Sequence, residues 1–391
     1  MFLHFRLFRV LLLTFISFAY STSLIGQFAK EHYIAPFNSF SNSAIGQVEA
    51  IFETQDSHGF FVYSYAGISK TPFDSTYVKR STVRNKSLGK NLSSPLISGI
   101  NRLNIPLNKK GVVFRAETPF SLTIYCASKS HAANVVSKGK KALGKLFYSG
   151  HMISSYKQDD YASFDENHFI SVMAVHDNTV ITFSNPNEGV TFLNQPKTTF
   201  TITLDKGQSY VIAEKLSNMN DTIINQYNGT KIESSKDITV VSGSGLMKPA
   251  NRDDFSTTNN QYFNDSGDEE EEEIQIEDIG FDQLFATPNL GSEYVFCKGL
   301  GSENEFPMVI ATEDGTTIII NHKEKKMVSL NKGDVHIFQH RFTSHGVLHI
   351  KSNHPLAAFQ NTSGSTHPYA QGFNTVPPFN GCSTKGEIHF S

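Results

Sequence analysis

The chain has no tryptophan, only three cysteines, and a charged fraction of 18%. Each scarcity excludes something. Cys126, Cys297 and Cys382 form no C-x-x-C metal spacing and allow at most one disulfide within the chain, so apolar cores must carry stability. A net charge of -3 gives no overall field favouring nucleic acid. Beyond the N-terminal segment no apolar run reaches the ~18 residues of a membrane-spanning helix. There is no G-x-S-x-G elbow and no H-E-x-x-H pair. Gly139–Lys145 fits most of a P-loop, but Leu146 stands where a hydroxyl would hold Mg²⁺. No residue is expected to act as catalyst, cofactor anchor or metal ligand, and no cofactor is expected.

What is present favours β structure. Phenylalanine is abundant at 32 residues, and Val, Ile, Thr and Phe crowd the patterned segments. The expectation is an all-β fold of tandem repeated units, sandwich-like, or else closed like a propeller. Arg6 and Arg9 precede the apolar run Val10 to Ala19, with small or polar residues at Ser21 to Gly26. This reads as a secretory signal peptide over residues 1–26, with a secreted or cell-surface mature chain.

The repeat is the main organising feature. Ser171 to Phe183 reads as two apolar strands forming a hairpin about Asp177-Asn178, and Met308 to Ile320 repeats it about Asp314-Gly315. The order then continues in parallel. Asp177 to Asp314 is 137 residues, Gly207 to Gly333 is 126, and Ile232 to Ile350 is 118. Turns are expected at Ser235 to Asp237 and at Ser352 to Pro355. Phe114 to Ile232 is again 118, which extends the plan to a degenerate N-terminal copy with turns at Asp56, Gly111 and Thr118-Pro119. Strands are expected there over Val48 to Thr54, Phe60 to Tyr65, Arg102 to Leu107, Val112 to Arg115 and Phe120 to Tyr125. The expected division is an N-terminal β unit over 27–135, a first clear repeat over 136–250, an acidic linker over 251–282, and a second clear repeat with the start of a further unit over 283–391. Tyr33 to Asn38 resembles Thr375 to Asn380, raising closure of the C-terminal strand onto the first unit.

Other candidate groups have plainer explanations. The run Asp268 to Glu273 reads as a solvated loop, with calcium or a basic partner as the alternative. His336, His340, His345 and His349 read as a solvated strand face, not a metal site. Asp177 and Asp314 read as turn formers that bond the backbone. Asp159 and Asp160 are a conceivable carboxylate pair. Sequons occur at Asn85, Asn91, Asn220, Asn228, Asn264 and Asn361. Lys70 to Asn101 reads as a long surface loop, and it is expected to carry recognition together with Met247 to Asp278 and Ser363 to Phe373 with Tyr369.

Several motifs occurring in order support a resemblance. They are Ala174 to Thr179, Asp282-Gln283-Leu284 with Leu290 to Tyr294, Ala311 to Thr316, and Pro377 to Cys382. Across about Leu143 to Cys382 the sequence resembles the N-terminal domain family of IgGFc-binding protein, in the form found in secreted bacterial surface proteins of gliding-motility-associated type. It departs from that family in having the acidic run where cysteines usually precede the Asp-x-Leu stretch. The resemblance implies a non-enzymatic extracellular module for adhesion or protein binding, recognising an extracellular protein or glycan. No nucleic-acid partner is expected, and no integral membrane segment is expected to remain after signal cleavage. The rival readings are a carbohydrate-active enzyme or lectin on a β scaffold, and a structural matrix or surface-layer protein.

Overall fold

The structure is a computed structural model that describes residues 28–40, 45–128, 131–155, 166–185, 191–192, 195–196, 198–215, 223–224, 227–247, 278–299, 305–321, 323–338, 342–363 and 371–379. The signal peptide, Asp159, Asp160, the acidic run, His340, Tyr369, Cys382 and the C-terminal strand lie outside these residues.

Three seven-stranded sheets follow one another. The first contains β1 (Ala29–Ile34), β3 (Gln47–Glu53), β4 (Phe60–Ala66), β5 (Asp74–Val78), β6 (Arg84–Lys90), β8 (Val112–Ala127) and β9 (Ala132–Val136); the short β2 (Phe37–Asn38) pairs with β7 (Ile97–Ser98) beside it. The second contains β10 (Gly144–Tyr148), β12 (Asn167–Ala174), β13 (Thr179–Ser184), β16 (Thr199–Leu204), β17 (Ser209–Lys215), β19 (Lys231–Met247) and β20 (Asp278–Gln283). Two short pairs accompany it: β11 (Ser154–Ser155) with β18 (Ile223–Ile224), and β14 (Thr191–Phe192) with β15 (Gln195–Pro196). The third contains β21 (Gly291–Cys297), β22 (Pro307–Ala311), β23 (Thr316–Ile320), β24 (Lys323–Leu330), β25 (Val335–Ile337), β26 (Val347–Ser363) and β27 (Gln371–Thr375).

Strand order is the same in all three: β5-β4-β8-β3-β6, β16-β13-β19-β12-β17 and β24-β23-β26-β22-β25, with the first and seventh strands also on the long sixth strand. The all-β repeated architecture is therefore as expected. The register confirms the offset of 118, since Phe114, Ile232 and Ile350 pair with His32, Phe147 and Tyr294 on the first strand of their units.

The long strand makes each unit two-layered. In β19, residues 231–234 pair with β13, while residues 238–246 pair with β12. Between them the strand bends and the partners change, so one curled sheet folds over its own core. In the third unit that core takes Tyr294, Val309, Ile318, Ile350 and Leu356 from both layers. This corrects the expected turns at Thr118-Pro119, Ser235 to Asp237 and Ser352 to Pro355. Each is a bend inside a continuous strand at the gap between its two sets of ladder partners, although Ser352 still pairs with Ile318. Proline fits there because no ladder N–H is needed. Thr54 and Thr312 hydroxyls donate to the carbonyls of Pro119 and Pro355, at 3.2 and 2.7 Å.

The hairpins are corrected as well. Asn178 and Gly315 do take positive φ, 51° and 67°. But β12 pairs with β17 and β19, and β13 with β16 and β19; the two do not pair with each other. The turn carries the chain from one layer to the other. Residues 70–101 are not a loop either, since they contain β5, β6 and β7. Arg102 to Leu107 forms no strand; Leu107 makes an isolated bridge to Ser209 of the second unit. The likeness of Tyr33 to Asn38 and Thr375 to Asn380 is not a structural equivalence, because Tyr33 lies in a first strand and Thr375 ends a seventh.

The units pack in series. Every residue of β12 and β22 is buried, whereas β3 alternates. Ile170 and Val172 face their own core, while Phe169 and Met173 join the core containing Phe37 and Phe114 of the first unit. Met308 and Ile310 likewise join the second unit's core. A strand buried on both faces need not alternate: β22 reads as a continuous apolar run, and β12 as one broken by Ser171 after its polar start Asn167-His168.

Candidate functional site

The shared aspartates sit in matching settings. Asp177 Oδ1 accepts the Lys206 N–H at 3.0 Å, and Asp314 Oδ1 accepts the Lys332 N–H at 2.9 Å. Each carboxylate ties the corner after the second strand to the turn after the fourth, so its partner is a neighbouring turn and not its own. In the first unit, Asp56 Oδ1 accepts from His58 N and the Asp56 carbonyl accepts from Arg80 N, at 2.7 and 2.8 Å.

The P-loop-like stretch is a short 3-10 turn over Gly139–Ala142 running into strand β10, so the helix that would cradle a phosphate is replaced by a strand. The histidines do not share one strand. His336 lies on β25 and packs edge-on to Phe338, whereas His349 lies on β26 with Nε2 2.9 Å from Glu293 Oε1. Among the described residues no three His, Cys, Asp or Glu side chains converge as a metal site. Of the sequons, Asn228 and Asn361 are buried, which leaves no room for a glycan in the folded chain; Asn85 is exposed. Cys126 is buried and Cys297 exposed, and neither is bridged; burial pushes the Cys126 thiol up and keeps it protonated.

Ionisable groups do converge where the three units meet. Asp282 Oδ1 accepts from Lys138 Nζ at 2.6 Å, and its Oδ2 accepts from the N–H and hydroxyl of Thr375 at 2.9 and 2.6 Å. Lys138 follows the first unit, Asp282 is on the second and Thr375 on the third. Gln283 Nε2 donates to the Tyr33 carbonyl at 2.7 Å and to Thr239 Oγ1 at 2.8 Å, while its Oε1 accepts from Lys138 N at 2.8 Å. Beside this hub, His32 Nε2 donates to the Phe120 carbonyl at 2.9 Å. That leaves Nδ1 to accept from Ser137 Oγ at 2.8 Å. Burial lowers the pKa of His32 to about 4 and also lowers that of Lys138, the latter opposed by Asp282. A Ser–His pair and a Lys–Asp pair thus occur together, but all four side chains are buried. They join units and offer no surface to a substrate. Asp282-Gln283-Leu284 stands out in the sequence as a motif; its joining role depends on partners 144 and 93 residues away.

A second buried group lies in the middle unit. The rings of His151 and His168 stack with centroids 3.7 Å apart. His151 Nε2 accepts from Tyr227 N at 3.2 Å, and His168 Nδ1 lies 2.8 Å from Ser244 Oγ. Burial lowers His151 to about 4 and holds His168 well below its usual value, with His151 adding to the effect on His168.

The exposed face with distinctive chemistry is on the first unit. In β4 the outward residues are Phe61, Tyr63 and Tyr65; opposite them, Tyr77 faces Phe61 and Ser75 faces Tyr63. Phe73 N–H donates to the Ser64 carbonyl at 2.9 Å, which continues the ladder and sets Phe73 beside Tyr65. Phe61, Tyr63, Phe73 and Tyr77 are 41–49% exposed. Arg115 closes the row, 5.3 Å above the Tyr65 ring and paired to Glu31 at 2.9 Å. The strand is legible in the sequence over Phe60 to Tyr65, but the face is not. The signal was an aromatic residue at every second position from Phe61 to Tyr65.

No curated protein and no solved structure matches the chain. The sequence pattern of one family, described as IgGFc binding protein, matches residues 132–390, which spans the second and third units and most of the chain. That range contains the motifs from Ala174 to the Asp282 hub and on to Ala311–Thr316, and the chain belongs to the IgGFc-binding protein family.

Proposed function

We propose that the protein is a non-catalytic binding module of the extracellular space or cell surface that recognises an extracellular protein or glycan. Family membership supports the extracellular, binding character. Among the described residues no helix is long and apolar enough to cross a membrane. The observation that carries the reading is where the chemistry lies. Lys138–Asp282, His32–Ser137 and His151–His168 are all buried between or within units, whereas the outward corners are held by aspartates in backbone-bonding roles. The family takes its name from antibody Fc; the reading here is the broader one of an extracellular partner.

In this reading residues 1–26 are cleaved on export and the three seven-stranded units act as the domains. The second unit closes its sheet with β20, beyond the acidic stretch, so that stretch is an insertion within the unit. Recognition falls to exposed sheet faces and to the stretches around 247–278 and 363–373, which lie mostly outside the described residues.

The test is a glycan and protein array with the chain from residue 27 onward. The expected result is saturable binding to one class of partner, unchanged in Asp177→Asn and Asp314→Asn. Silence from folded protein across the array, or turnover of a bound glycan, would overturn the reading.

A further inference from the structure

From the aromatic face of the first unit we infer that β4 and β5 form a binding platform for an anionic polysaccharide, a chain of pyranose rings bearing carboxylate or sulfate groups. The inference rests on the proposed role as an extracellular binding module and names the ligand class.

The first observation is that the fold does not require the aromatic rings. Register sets Tyr63 and Phe61 equivalent to Thr182 and Val180 in the second unit, and to Ile319 and Thr317 in the third. Tyr77 corresponds to Thr203 and Ser329, which face Val180 and Thr317. Threonine suits an exposed strand on its own account, and Thr182 and Thr201 hydroxyls lie 3.0 Å apart across the same ladder. The Tyr77 position is thus polar in both other units, the Phe61 and Tyr63 positions each hold one threonine and one aliphatic residue there, and all three are aromatic only in the first unit.

The second observation is charge. Residues 29–136 hold twelve Lys and Arg against six Asp and Glu, whereas residues 137–391 hold twenty against thirty-one. In the first unit Lys70, Lys79 and Arg80 are exposed at the two ends of β5, and Arg115 stands on the face itself. In the second unit Arg115 is matched by Glu233. The aromatic face and the excess of cations therefore coincide in one unit.

The chemistry of such a surface selects its ligand. Aromatic rings offer an electron-rich face to the C–H groups of a pyranose, and neighbouring strands about 4.8 Å apart set them as a flat, extended floor. Phe61 and Tyr77 meet edge to face at 5.3 Å, which fixes the ring orientations before a ligand arrives. Ser75, the tyrosine hydroxyls and Glu31 supply partners for sugar hydroxyls. The cations attract acid groups along the chain. Single-stranded nucleic acid also combines rings and charge, and the DNA oligomer in the test separates it from a polysaccharide. The acidic remainder of a second copy is the other polyanion within reach, and the test separates it.

The experiment uses the chain from residue 27 onward and calorimetric titration with a heparin-type sulfated polysaccharide, hyaluronate, neutral dextran and a single-stranded DNA oligomer. Sedimentation reports self-association. One variant combines Phe61→Val, Tyr63→Thr and Tyr77→Thr, the residues the second unit already carries on this ladder. A second combines Lys79→Ser and Arg80→Ser. The expected result is binding to at least one acidic polysaccharide in preference to dextran and DNA, weakening with salt. Affinity falls by roughly tenfold or more in the aromatic variant. The charge variant flattens the salt dependence. Thermal unfolding of both variants at the parental midpoint shows that the fold is kept.

Three results overturn the inference: no acidic polysaccharide binds, the aromatic variant binds as the parent does, or DNA binds as well as the polysaccharide. Self-association lost in the aromatic variant, without polysaccharide binding, also overturns it and assigns the face to a second copy. An array that finds a partner whose binding ignores the aromatic variant sinks this inference while leaving the binding module standing; a silent array sinks both.

Discussion

The strands β3 and β12 hold the same place in their units, yet one alternates in burial and the other is buried throughout. Their sequences say why. QVEAIFE sets Glu49 and Ile51 on a half-exposed outer face, whereas NHFISVMA sets Phe169, Ser171 and Met173 against the preceding unit. A stack of repeats buries each outer face under its neighbour, and the unit at the end of the stack must present a polar one. Among the described residues nothing covers the outer face of β3, and its half-exposed Glu49 and Ile51 fit that setting.

The comparison breaks most severely at the hub. Asp282→Ala leaves the Lys138 ammonium buried without its counter-charge, and removing one partner of a buried pair costs about 3–5 kcal/mol. Urea unfolding should show that loss. Replacing Lys138 and Asp282 together by apolar residues should cost much less than the single change, because no charge is stranded. Phe169→Ala removes a ring from the contact between units and should cost about 3–5 kcal/mol, whereas Ile51→Ala at the matching open face should cost under about 1.5 kcal/mol. Equal losses at the two sites would show that the first unit's outer face is covered as well.

Next in size is the response to acid. His32, His151 and His168 are all held below their unfolded value of about 6.5, His32 and His151 to about 4. Above about pH 6.5 both folded and unfolded states are neutral and stability is full. As pH falls from there toward 4, the unfolded chain takes up protons that the folded chain refuses, so stability falls. The slope is about 1.4 kcal/mol per pH unit for each histidine. His32→Gln should remove one such contribution, as seen in the pH dependence of urea midpoints.

Much of this architecture was legible in the sequence, and the limits have a physical cause. The constant offset of 118 residues located the long strand in each unit because Phe114, Ile232 and Ile350 must all enter a core. The positive-φ turn residues were legible because backbone sterics are local. Pairing was not local. An Asp-Asn turn between apolar strands is compatible with a hairpin and with a corner between layers, and only the sixth strand decides between them. Residues 70–101 read as a loop because Lys79, Arg80, Arg84 and Lys86 obscure the alternation of β5 and β6, whose apolar anchors are Val78 and Leu88. The hub was invisible as a hub, since its three parts lie far apart in the chain.

The smallest effect sharpens the comparison between the two clear units. Asp177 and Asp314 each accept one backbone N–H from the turn after the fourth strand, and both lie at exposed corners. An exposed acceptor is replaced by water when removed, so Asp177→Ala and Asp314→Ala should each cost only about 1 kcal/mol. Asp177 has additional company, because Lys236 Nζ donates to its carbonyl at 2.6 Å and Asn178 N–H donates to Asp205 at 3.0 Å. These bonds do not use the Asp177 carboxylate and survive its removal. The two substitutions should therefore match within about 0.5 kcal/mol in urea unfolding, as expected for independent sites. A loss at one corner several times that at the other would mean that the aspartate there bonds something besides its turn, and would assign that corner a role the repeat alone does not explain.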